Sequence, residues 1–280
     1  MSRPPWAPTG IDLTRPSAAR VYDYYLGGSH NFAVDRAMAD EAMRLWPELP
    51  QMMQANRSFL RRAVRFLTGQ GITQFIDIGS GIPTAGNVHE IAQRENPDAR
   101  VVYVDNDPVA VTHSRAILAD TAGAVIVQAD LRSPEQIFAD DALQGLLDLT
   151  RPVALLLVAV LHFVPDEDDP YALVAQLCAR LPQGSYLAIS HASSDGQPEL
   201  AASHQRLYQR TPTPMTMRTG EEIERFFSGV RLVSPGLVPI PDWRPDEEQV
   251  PIPPVPPAPD HPDHGADARM VGYAGVGATT

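Results

Sequence analysis

Lysine is absent from this 280-residue chain, because all 22 of its Lys+Arg residues are arginine. Schiff-base and pyridoxal chemistry need an amine nucleophile, so both are excluded. A Walker A loop and the strand lysine of protein kinases are excluded on the same ground. One cysteine, Cys178, leaves no internal disulfide, no four-cysteine zinc site and no self-contained iron–sulfur cluster. Long apolar runs are missing too. The longest, Val153 to Leu161, is nine residues, where a membrane helix takes about 20. Basic charge is outnumbered: Asp+Glu reach 34, the formal charge is -12 and the pI is about 5.0. Such a field repels phosphate, so neither a nucleic-acid partner nor a membrane is expected. Met1 to Trp6 leads into no apolar stretch, which predicts no signal peptide and a cytoplasmic protein.

Proline is plentiful, and it clusters. The stretch from Pro245 to Ala266 is too proline-dense for a helix or a central strand and reads as a polyproline-like surface loop. Helical patterns occupy Ala33 to Trp46 and Gln51 to Leu67. In the second, Arg57, Arg61 and Arg65 share a face that reads as solvated. From about residue 71 the period changes to alternating strands and helices. Strands are expected at Thr73–Ile78, Val101–Val104, Ala124–Val127, Val153–Leu161 and Tyr186–Ile189, and two last ones at Val230–Val233 and Val271–Val276. Between them, Asp107-Pro108 and Asp169-Pro170 are helix starts, and Thr219 to Glu222 is a capping box. The alternation predicts a doubly wound parallel α/β sheet from residues 71 to 280, preceded by a helical extension over residues 1–70.

The chemistry-bearing residues fall at strand ends. Phe75 to Gly81 reads strand, acid, then Gly-Ser-Gly. The glycines let backbone approach a ligand at the carboxyl edge of the sheet. A dinucleotide fingerprint requires a further glycine where Thr84 stands. That departure disfavours a nicotinamide oxidoreductase and favours a nucleoside ligand without pyrophosphate. Asp105, at the tip of the next strand, suits a ribose diol, since Asp107 already supplies the helix cap. Asp130 and Leu131, past the third strand, suit an adenine amino group and ring face.

Asp77, Gly79, Gly81, Asp105 and Asp130 together resemble the cofactor motifs of class I S-adenosylmethionine-dependent methyltransferases. Longer segments, Ala19 to Gly28, Val102 to Pro108, Leu155 to Pro165 and Tyr273 to Gly277, are similar to a bacterial, actinobacterial-type family of S-adenosyl methyltransferases of unassigned substrate. The resemblance implies a Rossmann-like sheet of seven strands, the last antiparallel, with S-adenosyl-L-methionine as cofactor. It implies that Gly79, Ser80 and Gly81 run along the amino-acid and ribose part, with Asp77 holding that end. Asp105 and Asn106 would take the ribose and adenine, and Asp130 and Leu131 would flank the adenine. Ala159, Val160 and His162 would face the methyl group. Arg20 is expected to pair with the cofactor carboxylate. Tyr22, Tyr24 and Tyr25 suit a pocket wall. His162 and Tyr25 are the candidate catalytic residues, and no metal site is expected. The implied activity is direct methyl transfer to a small-molecule acceptor. The alternative is a non-catalytic protein that binds the cofactor or its product, S-adenosylhomocysteine.

Overall fold

In a computed structural model the structure describes residues 12–83, 86–245 and 272–279. Thr84 and, past Pro245, the proline-dense loop lie outside the described residues. The chain begins with helices α1 (Ala18–Tyr25), α2 (Ala33–Leu45) and α3 (Leu49–Gly69). There follow β1 (Gln74–Ile78), α4 (Val88–Glu95), β2 (Arg100–Asp105), α5 (Pro108–Leu118) and β3 (Ala124–Gln128). Two short helices, α6 (Pro134–Ala139) and α7 (Asp141–Leu146), lead to β4 (Ala154–Val158), α8 (Pro170–Cys178) and β5 (Tyr186–Ala192). The remainder is α9 (Pro198–Tyr208), α10 (Gly220–Glu224), β6 (Val230–Leu232), β7 (Val238–Pro239) and β8 (Gly272–Thr279).

One sheet gathers all the strands of the described residues in the order β3-β2-β1-β4-β5-β8-β6, with the two-residue β7 also on β8. From β3 to β5 the pairings are parallel. β8 inserts antiparallel between β5 and β6. The fold is therefore the doubly wound α/β sheet with an antiparallel last strand, and β7 is the addition to the expected seven. Chain order reverses between β1 and β4, which opens a crevice at their carboxyl ends.

Alternation of side chains builds two cores. Ile76, Ile78, Val102, Val104, Leu155 and Leu157 face one layer, which holds α8 and Phe226 and Phe227. Phe75, Val101, Tyr103, Ala154 and Leu156 face the other, which holds α3 and Trp243. Both faces are covered, as a parallel sheet requires. The caps read from sequence form. Asp107 accepts from Val109 N at 2.7 Å, and Thr219 N donates to Glu222 at 2.8 Å. The expected strand over Val153 to Leu161 is shorter than its apolar run. It stops at Val158, where Ala159 adopts φ 55°, and a 3-10 turn covers Leu161–Phe163. The run stays apolar because Leu161 and Val164 return to the core.

The N-terminal helices are not loosely attached. Val21, Tyr25, Met38, Trp46 and Met52 form a third cluster with Leu207, Tyr208 and Met215. Its polar anchor is Asp35, fully buried. Asp35 accepts from Arg20 Nε at 2.8 Å, from Phe32 N at 2.8 Å and from Ser17 N at 3.0 Å. Removing one member of a buried ion pair leaves the other charge uncompensated, at a cost of about 3–5 kcal/mol. Asp35→Ala should therefore lower the urea unfolding free energy by that amount. A change below about 1 kcal/mol would show that the pair does not anchor α1.

Candidate functional site

A cavity of about 490 Å³ opens along the carboxyl edge of β1 to β4. That size is ordinary for a small-molecule or cofactor site. Three successive turns form its floor. After β1, Gly79 has φ 74° and Gly81 φ 66°, a backbone that side chains rarely adopt. A Cβ on Gly79 would stand 2.3 Å from Val160 Cγ2, so this glycine also lets the β4 turn close over it. At Gly81 a Cβ would meet nothing within 4 Å.

Asp105 ties the turns together. Its carboxylate accepts from Gly81 N at 2.7 Å and from Asp107 N at 2.8 Å. Burial pushes its pKa up to about 6, against the pull of those N–H groups. Asp77 is buried beside it, and burial lifts its pKa to about 7. The charge of Asp105 adds to that rise, and Arg57 opposes it. Asp130 behaves oppositely. Bonds from Arg132 at 2.9 and 2.7 Å hold it down at about 2. Asn106 Nδ2 reaches Asp130 at 3.3 Å.

The structure brings together Arg20, Asp77, Gly79, Ser80, Gly81, Asp105, Asn106, Asp130, Leu131, Ala159 and Val160, all of which line the cavity. His162 and Tyr25, the expected catalytic pair, are not among its lining residues. The 3-10 turn directs Phe163 to the cavity and His162 inward. There His162 Nδ1 accepts from Ala192 N at 3.4 Å, and burial pushes its pKa well down. Tyr25 is 2 % exposed in the N-terminal cluster, and Tyr24 bonds Asp40 on the exposed side, so of the three tyrosines Tyr22 forms the wall.

Arg20 reaches the cavity already engaged by Asp35, by Arg15 O at 2.8 Å and by Asp107 at 3.8 Å. Arg57, assigned from sequence to a solvated face, is a cavity residue instead. A helical wheel cannot show that this end of α3 overhangs the β1 turn. Asn56 was also missed, since nothing local in the sequence distinguishes it. His191 is structural. Its Nδ1 meets Ala192 O at 2.6 Å and its Nε2 meets Arg218 at 3.0 Å, which fixes the neutral tautomer. Among the described residues no cluster of His, Cys, Asp and Glu suits a metal.

The S-adenosyl methyltransferase family model matches residues 4–280. The chain belongs to this family. A DUF574 family protein from Streptomyces avermitilis, solved as a crystal structure, is 41% identical, with a TM-score of 0.87 over 96% of this chain and 99% of its own. A provisionally assigned methyltransferase from Thermobifida fusca is 40% identical, with a TM-score of 0.87 over 99% of this chain and 100% of its own. Comparison with curated proteins returns no match. The protein is an S-adenosylmethionine-dependent methyltransferase.

The cavity of this methyltransferase fits its cofactor. Ser80 Oγ is buried without a hydrogen-bond partner among the described residues, and Gly81 leaves open space beside it. The Asp105 carboxylate lines the cavity at the next turn, where it would meet a ribose diol if the expected role holds. Holding the Gly81 and Asp107 amides and both hydroxyls of a diol takes all the acceptor sites of an ionised carboxylate. At pH 5 a group of pKa about 6 is roughly one-tenth ionised. Affinity for S-adenosylhomocysteine should therefore be about tenfold weaker at pH 5 than at pH 8, with protons released on binding. The free protein should respond with the opposite sign. Raised carboxyl pKa values mean that the folded state binds more protons than the unfolded one, so the contribution of Asp77 and Asp105 falls as pH rises from about 4 to 7. Calorimetry in two buffers of different ionisation enthalpy measures the first effect, and flat affinity across that range would contradict it.

Proposed function

We propose that this enzyme transfers the methyl group of S-adenosylmethionine directly to a small-molecule acceptor. The cofactor supplies the reactive sulfonium. The chain supplies position and dryness. In this reading Asp130 and Leu131 flank the adenine, Asp105 and Asn106 take the ribose and its surroundings, and Gly79 to Gly81 with Asp77 run along the amino-acid part. Ala159 and Val160 face the methyl group. The observation that carries the reading is the convergence of three strand-end acids on one cavity, with Asp105 bonded to the Gly81 amide.

Residues 1–70 act in this proposal as a cap on residues 71–280, since Ser17, Arg20 and Tyr22 contribute to the cavity wall. A small acceptor is favoured because the cavity is of small-molecule size and Phe163, Pro165, Pro212 and Pro214 add apolar surface to its lining. With His162 behind the wall, the histidine assigned to catalysis has no direct path to an acceptor. The reading therefore favours a nucleophile that is already deprotonated or carries a free lone pair. A cytoplasmic place for the reaction rests on the single cysteine and the lack of a long apolar run. Among the described residues no helix is long and apolar enough to cross a membrane.

Losing a charge-assisted bond costs about 1.5–3 kcal/mol, or roughly ten- to a hundredfold in affinity. Asp105→Ala should weaken S-adenosylhomocysteine binding by that factor, read by calorimetry. Wild-type affinity in the variant would remove Asp105 from the ribose site. A product-release assay over N-, O- and C-nucleophile acceptors tests turnover, and saturable binding with no turnover on any of them would favour the regulatory alternative.

A further inference from the structure

Of the four arginines lining the cavity, Arg15 is exposed and two are neutralised by carboxylates. Arg20 has Asp35, and Arg132 has Asp130 and Asp168. Arg57 is half-buried and, among the described residues, has no carboxylate within ion-pair distance. Its one hydrogen bond there is to a neutral group, from Nη2 to Gly86 O at 2.9 Å. A guanidinium carries five donors, so four of this one's have no hydrogen bond among the described residues, while its charge also acts on Asp77.

Tyr22 stands nearby, and its hydrogen has a direction. Ala159 N donates to Ser190 Oγ at 3.0 Å, and Ser190 Oγ in turn donates to Asn56 Oδ1 at 2.5 Å. Asn56 Nδ2 then donates to the Tyr22 hydroxyl at 3.0 Å. The phenol is thus filled on its acceptor side and must donate onward. The protein offers it Met53 O at 3.4 Å, too long for a strong bond. Burial keeps the phenol protonated by raising its pKa. A cation and a directed O–H therefore line one cavity, close enough that the Arg57 charge acts on the Tyr22 phenol.

We propose that Arg57 and Tyr22 form a carboxylate-binding subsite, with Asn56 and Ser190 as positioning residues that aim the Tyr22 hydroxyl. This deepens the methyltransferase reading and rests on it. The carboxylate is either the α-carboxylate of the cofactor, which would relieve Arg20 of the role expected for it, or a carboxylate on the methyl acceptor. Either source is planar, anionic and matched to a guanidinium edge.

The test uses the full chain and its Arg57→Met, Arg57→Lys and Tyr22→Phe variants. Each is checked by thermal unfolding and titrated calorimetrically with S-adenosylhomocysteine and with 5′-methylthioadenosine, which lacks the amino-acid part. If the cofactor supplies the carboxylate, Arg57→Met binds S-adenosylhomocysteine about ten- to a hundredfold more weakly and Tyr22→Phe about tenfold. Arg57→Lys recovers part of the loss, and every variant binds 5′-methylthioadenosine as the wild type does. If the acceptor supplies it, S-adenosylhomocysteine binding is unchanged, but the loaded wild type binds benzoate and loaded Arg57→Met does not. The subsite is refuted if Arg57→Met and Tyr22→Phe each match the wild type for S-adenosylhomocysteine and, once loaded, for benzoate. A wild type that binds no S-adenosylhomocysteine would sink the cofactor reading first, and this subsite with it.

Discussion

Everything at the site hangs on one buried carboxylate. Asp105 ends β2 and bonds at once to the amide of Gly81, from the β1 turn, and to that of Asp107, at the start of α5. Desolvation makes this carboxylate costly to ionise, and the two N–H groups offset part of that cost. With both amides in place, the loops after β1 and β2 are fixed relative to one another. Asp107 extends the linkage, because it caps α5 and also meets Ser17 and Arg20 from the N-terminal segment. The cap and the sheet edge are thus joined at the residue next to the proposed ribose site.

A second constraint is steric. The β1 and β4 turns touch at Gly79 and Val160, where any side chain would collide. The sheet order places these strands side by side, so the glycine sets the width of the crevice between them. The turn after β4 is held from behind by Arg218. This buried guanidinium bonds Leu161 O at 3.2 Å and Val164 O at 3.0 Å. The wall residues Val160, Phe163 and Val164 therefore stand on a braced turn and not on a free loop.

Much of this was legible in the sequence. Strand-end acids are separated by whole β-α units, so their spacing carries the sheet edge with it, and Asp77, Asp105 and Asp130 do share one cavity. Helix starts at Asp107 and Asp169 were readable because capping is a local interaction. What failed was long-range or directional. The apolar run ending at Leu161 hides a left-handed turn at Ala159, because turn and strand both feed the core. His162 and Tyr25 were plausible by chemistry, but which way a side chain faces within a 3-10 turn or a helix bundle is decided by packing. Arg57 looked like a solvated-face residue because its own helix says nothing of the β1 turn opposite. Helix α9 went unread for lack of a capping signal, yet it supplies Leu207 and Tyr208 to the cluster that seats the N-terminal helices.

The central claim is that the adenosyl cofactor lies along the turns after β1, β2 and β3. The most direct measurement is an amide NMR titration of the labelled full chain with S-adenosylhomocysteine. The account expects saturable shifts at Gly79, Ser80, Gly81, Asn106, Asp107 and Leu131, while amides at the opposite end of the sheet, such as Ala124 and Ala154, stay in place. Shifts confined to other parts of the chain, or none at saturating ligand, would contradict it.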